Sequence, residues 1–208
     1  MFFHGVPSIV QRLYPNRTWR KESSNGKVFL TFDDGPVPGA TDYALSQLAK
    51  RGMKATFFMV GENVKNNPNL AREVMADGNQ IGNHTAHHLN GWKTKTERYF
   101  KDFQDCELVF ENVLQRSSKL FRPPYGMMTG SQAEKISESH QIIMWDVLSG
   151  DYDPNVSIQE ILNNTRKRTK SGAIVVFHDQ QKTSSILPKF LPQYLDFLID
   201  RGFETDLL

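Results

Sequence analysis

The 208-residue chain is predicted to be an α/β protein of parallel βα units closed toward a (β/α)7-8 TIM-like barrel, on three observations. Short apolar runs rich in β-formers alternate about seven times with longer stretches of helical period. Several of these runs are apolar throughout, as strands covered on both faces must be, whereas a half-exposed sheet alternates. No break in composition divides the chain, so one core is expected rather than two small ones.

Residues 1–26 carry little periodic pattern and end in the polar run Lys21 to Gly26, so they read as an N-terminal extension and loop ahead of a single domain at 27–208. The expected strands are 27 to 33, 54 to 60, 79 to 83, 119 to 122, 141 to 147, 173 to 178 and 203 to 206. The clearest helix is 95 to 115, where Tyr99, Phe103, Cys106, Phe110 and Val113 recur at spacings of four and three and form a core face. Another helix starts at Ser157, whose hydroxyl and Glu160 three residues on make a capping box for the free backbone donors. Its basic run Arg166 to Arg168 meets solvent.

Lys plus Arg number 25 against 23 Asp plus Glu, a net charge of +2, which excludes the concentrated positive charge of a dedicated nucleic-acid binder. Cys106 is the single cysteine, so no intrachain disulfide forms. Neither a secretion signal nor an apolar run of roughly 20 residues is visible, so no transmembrane segment is expected. The expected location is cytoplasmic by default, or the cell envelope if a leader has been trimmed. Oligomeric state is not legible.

Barrel folds gather their chemistry at the C-terminal ends of the strands. Asp33, Asp34, His84, Arg122, Asp146 and His178 all fall at such ends. Adjacent carboxylates at 33 and 34 can divide roles, one binding a cation and one moving protons, although Asp-Asp-Gly-Pro alone is also ordinary turn chemistry. In HTAHH, His84 and His88 stand four apart and would share a face if the segment were helical; a pairing of His84 with His87 is also sterically possible on a helix, so spacing alone does not choose. Two imidazoles and a carboxylate would suit zinc with positions left open. The prolines after Arg122 stiffen its loop and leave the guanidinium free to pair a carboxylate. Asp151, Tyr152 and Asp153 crowd acids around an aromatic, and His178 leaves a buried strand where a general acid could be poised.

Taken in order, TFDDGP at 31, HTAHH at 84, RPPYG at 122, WDVLSGDY at 145 and VVFHD at 175 resemble the five motifs of the polysaccharide deacetylases, the NodB-homology carbohydrate esterases. The resemblance spans about residues 27 to 208. It implies a distorted (β/α) barrel and metal-dependent removal of acetyl groups from a glycan. By this resemblance Asp34, His84 and His88 are the metal ligands, Asp33 the catalytic base and Arg122 the residue orienting it. His178 matches the general acid, Asp151 the acid tuning it, and the backbone amide of Tyr125 an oxyanion donor. His87 then drops out of the metal set. The implied cofactor is one divalent metal, zinc foremost, with cobalt or nickel as alternatives, and the implied partner is an N-acetylated, peptidoglycan- or chitin-like glycan.

Leu148 stands where the family commonly has an acid, Tyr152 where it has tryptophan and Val176 where it has leucine, so the acetate pocket is expected to differ in width and polarity. O-acetyl removal from xylan-like glycans and a silent glycan-binding module are the alternative functions. The complete set of acid, base and ligand positions argues against the second.

Overall fold

The computed structural model describes residues 8–21 and 26–208; the first seven residues and the run at 22–25, parts of the expected extension and loop, lie outside the described residues. In chain order the elements are α1 (Ser8–Leu13), β1 (Lys27–Asp33), α2 (Thr41–Ala49), β2 (Thr56–Met59), α3 (Gly61–Asn66), α4 (Pro68–Ala76), β3 (Gln80–Asn83), α5 (Thr96–Leu114), β4 (Leu120–Phe121), α6 (Gly130–Ser137), β5 (Gln141–Ile142), β6 (Val147–Leu148), α7 (Ile158–Arg168), β7 (Ile174–His178), α8 (Leu187–Asp200) and β8 (Glu204–Thr205).

Seven strands pair in parallel in the order β5-β4-β3-β2-β1-β7-β6 and curl into a half-barrel, while β8 pairs with the start of β1. Strand β1 shows why a wholly apolar run belongs at the centre. Its alternate residues Val28, Leu30 and Phe32 pack outward with Leu45, Phe190 and Tyr194 of the helices. Phe29 packs inward with Phe58, Leu120, Ile143 and Ile174, leaving Thr31 and Asp33 on the same inner face. The register sets Asp33 opposite Phe58 on one side and opposite His178 on the other.

The expected strand at 141–147 is two strands, and the break has a physical cause. Residues between β5 and β6 leave the ladder, and the carbonyls of Ile143 and Met144 turn to the Arg122 guanidinium at 3.3 and 2.9 Å. The sheet ends β5 and β6 do not pair with each other. Residues 18–20 lie across this seam, Thr18 bridging Ile143 and Arg20 bridging Ala173, and Trp19 inserts among Tyr99, Phe103, Phe121 and Met144.

Helix α5 buries Tyr99, Phe103, Cys106 and Phe110, with Val113 half-buried beside them. Helix α7 carries the capping box at Ser157 and Glu160. Among the described residues no helix is long and apolar enough to cross a membrane.

Phe32 is fully buried, 5.0 Å from the Phe57 ring and 5.6 Å from Phe177. Phe32→Ala is expected to lower stability by about 3–5 kcal/mol through the cavity it leaves, measured by urea unfolding of the purified protein.

Candidate active site

At the end of β1 the chain makes a turn that sends two consecutive carboxylates in different directions. Asp34 has φ 84°, a left-handed conformation that aspartate tolerates better than most residues. Its N–H donates to the Phe58 carbonyl at 3.2 Å, and its carbonyl accepts from Asn63 Nδ2 at 2.7 Å. Gly35 N–H then donates to Asp179 Oδ1 at 3.1 Å, and Thr41 Oγ1 donates to Asp179 Oδ2 at 2.6 Å. A Cβ on residue 35 would stand 2.0 Å from Asp179 Oδ2, so only glycine fits.

Asp33 points into the half-barrel, 3% exposed, and meets Arg122 Nη1 at 2.6 Å. Arg122 is fully buried, and every face of its fork has a partner: Asp33, Thr31 Oγ1 at 2.7 Å and the two carbonyls of the broken strand. Its Cζ lies 4.1 Å from the Phe58 ring centre. Burial draws the guanidinium pKa below its usual value and Asp33 pulls it back.

Asp34 turns instead to the histidines, Oδ1 lying 3.4 Å from His84 Nε2 and 3.0 Å from His88 Nε2. The segment from His84 to His88 is not helical. Left-handed Thr85 and His88, at φ 63° and 55°, fold it into a loop that brings His84 and His88 together, so the shared helix face foreseen for them is replaced by a turn. His84 Nδ1 lies 2.7 Å from the Arg122 carbonyl oxygen, which only accepts. The proton of a neutral ring is therefore on Nδ1, and the Nε2 lone pair faces the Asp34 carboxylate. Lone pairs opposed at that distance call for a cation between them. The ligand atoms of Asp34, His84 and His88 lie within 4.8 Å of one another, and one carboxylate with two imidazoles is a donor set that fits a divalent metal with positions left open. Burial works to raise the Asp34 pKa, but the neighbouring rings of His84 and His88 and the charge of His178 hold it well below the usual range.

His178 sits across β1 with Nδ1 at 2.7 Å from Asp151 Oδ1 and its backbone N–H donating to Oδ2 at 2.9 Å. Ser149 Oγ in turn donates to Asp151 at 2.9 Å. Burial disfavours the imidazolium, yet Asp151, with Asp34 and Asp33 behind it, raises the pKa to about 9. Asp33, Asp34, His84, His88, Tyr125 and His178 all line one cavity of 660 Å³. Trp145, Leu148, Tyr152 and Val176 line it too, so the three positions that depart from the family motifs are wall residues. Tyr125 is 60% exposed, at φ 60°, with its ring edge-on to His88 at 4.6 Å.

Two residues singled out in the sequence do not join this set. Asp146 turns away to Arg20 at 3.5 Å, because the broken strand leaves its side chain outside the inner face. His87 bonds Asp102 of α5 instead of the metal position. Two residues were missed. Asp179 is buried beneath the Asp33–Pro36 turn, and burial, with the nearby Asp34 and Asp33 charges, raises its pKa to about 7 against the bonds from Thr41 and Gly35. Its signal was an acid directly after a buried strand. Asp102 had a clearer signal, a charge within the apolar face between Tyr99 and Cys106.

Asp102→Ala strips the His87 backbone N–H of its acceptor in the middle of the loop that carries His84 and His88. We expect a stability loss of about 2 kcal/mol by urea unfolding and, for any divalent metal taken up at Asp34, His84 and His88, roughly tenfold weaker binding by competition with a chelator.

The chain is similar in sequence and fold to known proteins. The family model described as polysaccharide deacetylase matches residues 20–143. A peptidoglycan-N-acetylglucosamine deacetylase of Bacillus cereus is 35% identical over 185 residues, covering 85% of each chain. The crystal structure of a peptidoglycan N-acetylglucosamine deacetylase bound to an N-oxidanyl-benzamide superposes with a TM-score of 0.84 at 28% identity, over 98% of this chain and 95% of that one. A carbohydrate esterase family 4 pseudoenzyme from Bacillus anthracis shares the fold at TM-score 0.79 and 24% identity, over 90% and 65% of the two chains. With the five ordered motifs converging on one cavity and a relative this similar over most of both lengths, the chain belongs to the polysaccharide deacetylase family.

Proposed function

We propose that this enzyme removes acetyl groups from the 2-acetamido nitrogen of a peptidoglycan- or chitin-like glycan, using a divalent cation, zinc foremost, at Asp34, His84 and His88. One observation carries the reading. A buried base paired with arginine, a three-ligand cation site and a carboxylate-backed histidine open on a single cavity. The B. cereus relative, named for N-acetylglucosamine deacetylation, supports the amide over the ester. A pseudoenzyme with the same fold shows that architecture alone does not confer turnover, so the weight falls on the complete set of side chains.

When bound there, the cation supplies Lewis-acid polarisation of the acetyl carbonyl and acidifies a water molecule. Asp33 takes the proton from the attacking water, and Arg122 holds that carboxylate aimed at it. The Tyr125 amide donates to the developing oxyanion. His178 then gives its proton to the departing nitrogen, a step that an amide needs more than an ester because an amine leaves poorly without it. Trp145, Leu148, Tyr152 and Val176 shape the pocket for the acetyl methyl.

Asp33→Asn is expected to cut acetate release by at least about a hundredfold while zinc content stays unchanged, whereas His84→Ala lowers both. Release assayed on N-acetylglucosamine oligomers, peptidoglycan and acetylated xylan tests the substrate; activity on xylan alone overturns the amide reading. His178 must be protonated to act, and Asp151 raises its pKa, so activity falls as pH rises through that pKa. Asp151→Asn is therefore expected to move the alkaline limb of the pH–rate profile downward by about one unit or more, with the limb left in place counting against the assigned acid.

A further inference from the structure

His87 contributes nothing to the cation site, yet it is held with unusual care. Its ring Nδ1 lies 2.5 Å from Asp102 Oδ1, and its own backbone N–H donates to Oδ2 at 3.0 Å. Asp151 grips His178 in the same way, through the ring Nδ1 and the backbone N–H of one residue. The site thus contains the same His–Asp arrangement twice, and both imidazoles line the same cavity.

The two differ in exposure. The His178 side chain is 13% exposed and that of His87 59%, while the carboxylates behind them are 0% and 7% exposed. Clamping the loop requires only the backbone N–H of His87. Fixing a largely exposed ring as well costs side-chain entropy without burying apolar surface. With Nδ1 turned to Asp102, Nε2 is the ring nitrogen left to accept a bond, and no residue among those described occupies it. An acceptor nitrogen at the cavity mouth calls for a hydroxyl donor, and hydroxyls are the donors a glycan carries away from its reacting acetamide.

We propose that His87 is a substrate-binding residue, its Nε2 accepting a hydrogen bond from a glycan hydroxyl at the cavity mouth while Asp102 holds the ring in that tautomer and direction. The inference rests on the glycan deacetylase reading above and adds to it a contact that chooses sugars over simple acetyl compounds.

The test uses the zinc-loaded enzyme with two substrates, tri-N-acetylchitotriose and the hydroxyl-free ester 4-nitrophenyl acetate. His87→Asn keeps an amide where Nδ1 lies, preserving the bond to Asp102, but has no Nε2. It is expected to raise KM for the trisaccharide about five- to tenfold, with kcat, zinc content and ester turnover unchanged. His87→Gln, which extends an acceptor toward the Nε2 position, is expected to recover part of that loss. An unchanged trisaccharide KM, an equal rise on both substrates, or a loss that follows zinc content overturns the inference while leaving the deacetylase reading standing. A wild-type enzyme that releases no acetate from the trisaccharide or from any other glycan overturns both.

Discussion

The ion pair between Arg122 and Asp33, sealed inside the half-barrel, is the constraint on which the rest of the site depends. A guanidinium with no exposed surface needs partners for its nitrogens, because an unpaired buried charge costs several kcal/mol. The fold gives each of the three nitrogens a partner, at the expense of regular structure. The strand after β5 breaks, and its Ile143 and Met144 carbonyls turn inward. That break leaves β5 and β6 at opposite edges of the sheet, unpaired with each other, and the segment at 18–20 lies across the seam. A buried pair is weak evidence for stability, but here it fixes a direction: the carboxylate of Asp33 cannot swing away.

Arg122 also joins the two halves of the chemistry. Its side chain holds Asp33, and its backbone carbonyl receives His84 Nδ1. One residue at the end of β4 therefore orients both a carboxylate from β1 and the imidazole at the end of β3. Parallel register supplies the other link, since Asp33 and His178 are direct neighbours across β1 and β7. The site is rigid because its members sit on strand ends, with Asp102, Asp151 and Asp179 each gripping a turn through backbone N–H groups from a buried position.

Much of the fold was legible. Of the expected strands, all but one lie within two residues of their observed ends, and the central ones, such as β2 and β7, were legible because a strand covered on both faces is apolar along most of its length. The exception, 141–147, reads as one apolar run, and its break answers to a guanidinium arriving from a distant segment, which local pattern does not record. The convergence of His84 and His88 was legible as a pair but not as a turn. Their approach depends on two left-handed residues, and nothing in the identities of Thr85 and His88 announces them. The integration of Trp19 was likewise hidden, since one tryptophan in an unpatterned stretch has no period to reveal the face it meets.

By itself, the sequence determined the alternation of strands and helices and the order in which acids, histidines and an arginine reach the strand ends. These are properties of residue type and spacing, and they act locally. Only the tertiary structure decided that Asp146 faces outward to Arg20, that Asp102 and Asp179 are buried anchors, and that His87 turns from the cation position to a carboxylate on α5. Those outcomes follow from which segments meet across the half-barrel, a matter of burial and long-range hydrogen bonding that no window of sequence contains.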